Sequence, residues 1–125
     1  MSFDWSEYLN LAHELAGQAA SPAGQEARLR TAISRAYYGA FCKGRNHLRD
    51  QDGRRIPSGG QVHQYVRDEF KMSADKLRKQ IGHNLDRLRS DRNKADYYDS
   101  VARLDAMIKA DLALAGKVIS TLGRL

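Results

Sequence analysis

Leu88-Arg89-Ser90-Asp91-Arg92-Asn93-Lys94-Ala95-Asp96-Tyr97-Tyr98 is the stretch on which the fold turns. Leu77, Ile81, Leu85 and Leu88 recur at helical spacing and run into this charged and aromatic cluster without meeting a Gly or Pro, so it reads as the C-terminal end of a helix. Arg92 falls one turn after Leu88 on that stripe. A guanidinium there needs either a buried acidic or carbonyl partner or a site in a groove.

Working outward, the helix before this motif starts at Ser73, whose hydroxyl suits an N-cap, with Asp75 in the first turn where the helix dipole favours an acid. A shorter helix fits Gln61 to Met72, with Val62, Tyr65, Val66 and Phe70 on one side and His63 in its first turn. The strongest periodic signal lies further upstream. Leu29, Ile33, Ala36, Tyr37, Ala40, Phe41, Gly44 and Leu48 repeat at intervals of three and four, and Ala36, Gly39, Ala40 and Gly44 let another helix approach closely. Thr31, Arg35, Tyr38 and Cys42 form a more polar strip beside it.

The first helix is expected from Asp4 or Ser6 to Gly17, with Trp5, Tyr8, Leu9, Ala12 and Leu15 inward, and a turn over Ala19 to Gln25 follows it. The segment 50–60 holds three Gly, one Pro and two Arg and reads as a mobile basic loop. A last helix from about Asp99 to Leu122 shows Val101, Leu104, Ile108, Leu112, Ala115, Ile119 and Leu122 close to a heptad. No stretch alternates with period two, so the fold class is all-α: an up-and-down bundle of four long helices plus one short helix. It is read as one domain over residues 1–125, with a core from about 4 to 122.

Charge is distributed unevenly. Residues 1–27 hold four acids and no Lys or Arg, giving −4; residues 76–94 hold seven bases and two acids, giving +5; residues 43–55 hold five and two, giving +3. A positive side of this kind suits phosphate or an acidic protein. No run approaches the roughly 18 apolar residues of a membrane span, and Met1 to Tyr8 has acids where a signal peptide carries Lys or Arg. The expected location is the cytoplasm. Cys42 is the only cysteine, which excludes an internal disulfide and a thiolate metal cluster.

The chemistry offered by the motif is phosphate recognition. Arg92, Asn93 and Lys94 supply donors, Asp96 orients an arginine, Tyr97 or Tyr98 stacks on a base or donates a hydroxyl, and Arg35 and Tyr38 join them from the long second helix. The alternative for the same residues is a structural tie in which Asp96 holds Arg35 or Arg92 across two helices. Catalytic motifs are scarce. None of His13, His47, His63 and His83 forms an i, i+4 pair with a glutamate between, Ser58-Gly59-Gly60-Gln61 lacks the length and lysine of a phosphate loop, and no Gly-x-Ser-x-Gly elbow exists. Neither a metal nor a cofactor is expected.

Ser34-Arg35-Ala36-Tyr37-Tyr38-Gly39-Ala40-Phe41, followed by Leu88-x-x-Asp91-Arg92-Asn93-Lys94-Ala95-Asp96-Tyr97, resembles the HEPN superfamily, the higher eukaryote and prokaryote nucleotide-binding domains. More narrowly it is similar to the small prokaryotic branch with Arg-Ala-Tyr-Tyr and Arg-x-x-Ala-Asp-Tyr segments. The resemblance covers about Asp4 to Leu122. It implies an all-α bundle that dimerises across a groove, and many members are metal-independent RNases, often toxins paired with a nucleotidyltransferase antitoxin or acting in defence. Their signature is an Arg and a His with four to six residues between them. Here the positions following Arg92 at which that His falls are Tyr97, Tyr98 and Asp99, and without an imidazole the usual acid–base route is lost. Three expectations follow. One is binding of RNA or nucleotide without efficient hydrolysis, through Arg35, Tyr38, Arg92, Asn93, Asp96, Tyr97 and Tyr98. Another is an RNase with an unorthodox site in which His63 or His83 reaches Arg92 across a homodimer. The last is docking of a nucleotidyltransferase or other acidic defence protein.

Overall fold

Ser21 and Pro22 begin the helix on which the others lean: the Ser21 hydroxyl accepts from the Gly24 amide at 3.1 Å, and Pro22 occupies the first helical position, where its missing N–H costs nothing. In the computed structural model, which describes residues 2–17 and 21–125, five helices follow one another: α1 Ser6–Leu15, α2 Pro22–Asp50, α3 Val62–Lys71, α4 Lys76–Tyr97 and α5 Leu104–Leu122. No strand occurs among the described residues, and no helix is long and apolar enough to cross a membrane. The chain is all-α, as its periodicities require.

The helices differ from the expected set in length. Three are long and two, α1 and α3, have ten residues each. The expected turn over Ala19 to Gln25 shrinks because Pro22 already belongs to α2; its residues 19 and 20 lie outside those described. At α4 the cap is Asp75, whose carboxylate accepts from the Arg78 amide at 3.0 Å, while Ser73 accepts from Asp75 one step earlier. α5 starts at Leu104, not near Asp99, after Arg103 adopts a left-handed conformation with φ 56°.

α2 packs against all four other helices, α3 and α5 pack on α4, and α1 touches α5. Its Ile33, Ala36, Tyr37, Ala40 and Leu48 are buried together with Val66 and Phe70 of α3, Ile81, Leu85 and Leu88 of α4, and Ile108, Ala115 and Val118 of α5. Each of the larger aliphatic groups contributes about 1.5–3 kcal/mol when fully buried, so this junction dominates the stability. The small residues act as the sequence suggests: a Cβ at Gly39 would lie 3.2 Å from the Trp5 carbonyl, which is how closely α1 lies on α2.

The tightest approach is between α3 and α4. A Cβ at Gly82 would lie 2.6 Å from the Lys71 backbone nitrogen, and Asp86 one turn on accepts ion pairs from both Arg67 and Lys71. Gly82→Ala is therefore expected to destabilise by about 1–3 kcal/mol even though alanine favours helix. Thermal unfolding decides it: an unchanged or raised Tm would show that α3 can shift without cost.

Residues 50–60, read as a mobile basic loop, are tied to the helices at several points. Asp52 takes a two-pronged ion pair from Arg78 at 2.7 and 2.9 Å, the Arg54 amide donates to the Leu48 carbonyl, and Ile56 packs against the core.

Two apolar stripes fall differently from their sequence reading. On α4 the buried line continues from Leu88 to Asp91 and Ala95, leaving Arg92 half-buried beside it. On α5 it runs through Ile108, Asp111, Ala115, Val118 and Leu122, with Leu112 and Ile119 at the flank. In both helices the seam contains an aspartate, and in both the neighbouring residue had been assigned to it.

Candidate functional site

Where α1, α2 and the end of α4 meet, a groove of about 360 Å3 opens to solvent. Trp5 and Tyr8 come from the α1 side, Arg35 and Tyr38 from α2, and Arg92 and Asp96 from α4. The polar strip of α2 thus faces the motif of α4, and α1 adds two aromatic residues that the sequence had assigned to the core. A larger hollow of about 700 Å3 lies between residues 55–58 and α3, but there Arg55 is the single cation and Asp68 offsets it. The smaller groove concentrates the cations.

Arg92 is heavily engaged. Its Nε lies 2.9 Å from Asp96 Oδ2, one turn along the same helix; its Nη1 donates to Asn93 Oδ1 at 3.0 Å and its Nη2 to the Tyr38 hydroxyl at 2.9 Å. The Nε contact is charge to charge without hydrogen-bond alignment. Asp96 therefore holds Arg92 within α4, not across two helices; the interhelical tie is the Tyr38 hydroxyl. Asn93 supports Arg92 through its carbonyl.

Arg35 is the freer cation. Its guanidinium carbon lies 4.8 Å from the Tyr8 ring centroid and 5.2 Å from that of Tyr38. Its one side-chain hydrogen bond among the described residues is a long one, Nη2 to Ser34 Oγ at 3.4 Å, and it has no ion-pair partner there. With its flat faces against rings, such a group keeps its N–H edge for an anion. Tyr97 is 72% exposed and stands 5.7 Å from the Arg92 guanidinium. Tyr98 is also exposed but caps the helix and does not line the groove.

His63 joins the site's rear within the same chain. Its ring stacks on Phe41 at 4.3 Å, meets the Tyr38 ring edge-on at 5.9 Å, and places Nδ1 2.6 Å from the Tyr37 hydroxyl. Burial, with the charges of Arg89, Arg92 and Arg67, pushes the imidazole down to about 4, while burial pushes Tyr37 up to about 12. His63 is held neutral, with Nδ1 engaged by the Tyr37 hydroxyl. It lacks the basicity of a general base at neutral pH.

His83 is apart from all this. It is exposed, and nine residues before Arg92 on one helix place it on the opposite side, roughly 14 Å along the axis. No cluster of three metal-ligating side chains exists among the described residues.

Two features at this end of α4 escaped the sequence. Arg30 of α2 donates to the carbonyls of Ala95, Tyr98 and Asp99 at 2.9, 2.7 and 3.2 Å, terminating the helix where no Gly or Pro does. Behind the motif, Asp91 and Asp111 face each other almost fully buried. Arg87 donates to Asp91 at 3.1 Å, whereas both oxygens of Asp111 lack a donor among the described residues, so the two carboxyls bond only if one keeps a proton.

Comparison with protein-family models, with curated proteins and with solved structures yielded no match.

Proposed function

We propose that the chain is a HEPN-type helical bundle that binds RNA or nucleotide phosphate in the α1–α2–α4 groove, as a homodimer, without hydrolysing it. Arg35 carries this reading: a guanidinium backed by two tyrosines, lacking a carboxylate partner among the described residues, at the wall of an open groove. A purely structural arginine would have its charge neutralised by a neighbour, as Arg92 does through Asp96. Arg92 lines the same groove with Asn93 bonded to its Nη1, and Tyr38 and Tyr97 offer rings beside it.

Supporting the absence of hydrolysis is the state of His63, the one imidazole near the groove, which is neutral and already bonded at Nδ1. The Arg-Ala-Tyr-Tyr and Arg-x-x-Ala-Asp-Tyr segments, which resemble that superfamily, support a toxin–antitoxin or defence setting as part of this reading, with a nucleotidyltransferase as protein partner.

Incubation of wild type, Arg35→Ala and Arg92→Ala with labelled RNA in EDTA tests both halves. Wild type is expected to retard the RNA without shortening it, and Arg35→Ala to bind at least about tenfold more weakly, the loss of one charge-assisted contact. Metal-free cleavage that disappears in Arg92→Ala would overturn the account of chemistry; retardation unaffected by Arg35→Ala would overturn the site.

A further inference from the structure

The aromatic and cationic side chains of the groove continue beyond its walls in both directions. At the α1 end, Trp5 meets Phe3 and Tyr8 edge to face, with centroids 4.9 and 5.2 Å apart, and Arg45 sits over its ring at 5.5 Å. At the α4 end, Arg92 lies over both Tyr38 at 5.3 Å and Tyr97 at 5.7 Å. Trp5, Tyr8, Arg35, Tyr38, Arg92 and Tyr97 thus follow one another in space, although three separate helical regions supply them. The terminal rings are the exposed ones: Phe3 is 51% and Tyr97 72% open to solvent.

We infer that this alternation is a track for single-stranded nucleic acid that does not distinguish ribose from deoxyribose. The inference rests on the phosphate-binding reading of Arg35 and extends it to the length and strandedness of the ligand. Unpaired bases stack on Phe3 and Trp5 at one end and on Tyr97 at the other, while phosphates between them meet the N–H edges of Arg45 and Arg35. A duplex keeps its base faces inside its own stack and offers none to these rings. A mononucleotide reaches only one end.

Indifference to the sugar follows from the two contacts the track is built from, a stacked ring and a charged edge on phosphate. Stacking and phosphate contact are common to both sugars.

Trp5 is the only tryptophan, so its emission reports on the α1 end of the track. Full-length protein is titrated with oligouridylate and oligothymidylate of about ten nucleotides, a duplex of equal length and uridine monophosphate, by Trp5 fluorescence and by anisotropy of labelled strands. Both single strands are expected to quench Trp5 and to bind within about threefold of each other, with duplex and mononucleotide at least about tenfold weaker. Phe3→Ala, at an exposed position, is expected to weaken single-strand binding about 5- to 100-fold with the helical circular dichroism intact. Equal duplex binding, a strong preference for one sugar, or single-strand binding that leaves Trp5 emission and the Phe3→Ala affinity unchanged would each overturn the track while leaving the Arg35 site standing. Absence of any nucleic-acid binding would remove that site and the track together.

Discussion

Asp111→Asn is expected to raise the stability of this protein, and to do so more the higher the pH. Asp111 is wholly buried, both of its oxygens lack a donor among the described residues, and the Asp91 carboxyl faces it. Burial first, then the bond to and the charge of Asp91, push its acid up from 3.8 to about 8. The folded chain therefore keeps a proton that the unfolded chain releases near pH 4. Because the native state binds the extra proton, stability falls as pH rises from about 4 to about 8 and levels off above that. Asparagine supplies a permanent donor to Asp91 in nearly the same volume and has no proton to lose. Relative to wild type, the variant should gain little at pH 4 and about 2–4 kcal/mol at pH 8 to 9. Denaturant unfolding across that range measures it. A difference that stays flat with pH would show that the pair does not share a proton.

Arg30→Ala should cost the most among substitutions outside the core. One guanidinium satisfies three carbonyls at the end of α4, the negative end of that helix's dipole, and leans on Glu26 at 3.1 Å. Removing it orphans the carbonyl of buried Ala95 and frees the turn that carries Arg92, Asp96 and Tyr97. The expected loss is about 2–4 kcal/mol, a fall in Tm of about 10 °C. Lysine cannot fork across three acceptors, so Arg30→Lys should recover less than half of it. A Tm within about 2 °C of wild type for Arg30→Ala would mean that the last turn of α4 holds itself.

How much of this was readable from residues alone depends on how local each cause is. The α2 stripe and its small residues were legible because Ile33, Ala36, Tyr37 and Ala40 repeat at helical intervals, and Gly39 does face the α1 backbone. The α5 seam was misplaced because Leu112 and Ile119 imitate the period while the buried position beside the first is an aspartate, a residue that burial statistics place outside. For the same reason Arg92 was assigned to the α4 stripe where Asp91 lies. The end of α4 could not be read locally, since the group that ends it stands 65 residues earlier at Arg30. His63 was visible as a histidine but not as a neighbour of Tyr37 and Tyr38, a relation that no spacing encodes. In the groove, Arg35, Tyr38 and Arg92 were brought together as expected, while Trp5, which does pack against the core, and Tyr8 also line the groove, a role spacing does not reveal because an amphipathic aromatic looks the same whether its free edge lines a groove or not.

The central claim is that Arg35 meets a phosphate. Its most direct test is the salt dependence of binding: anisotropy of labelled oligouridylate, titrated with wild type and with Arg35→Ala between about 50 and 200 mM salt. Wild-type affinity should fall steeply with salt, and the variant, besides binding at least about tenfold more weakly at the low end, should have a log–log slope shallower by about 0.7, the share of one single-strand phosphate. Equal slopes and affinities for the two proteins, or no binding by wild type at the lowest salt, would contradict the account.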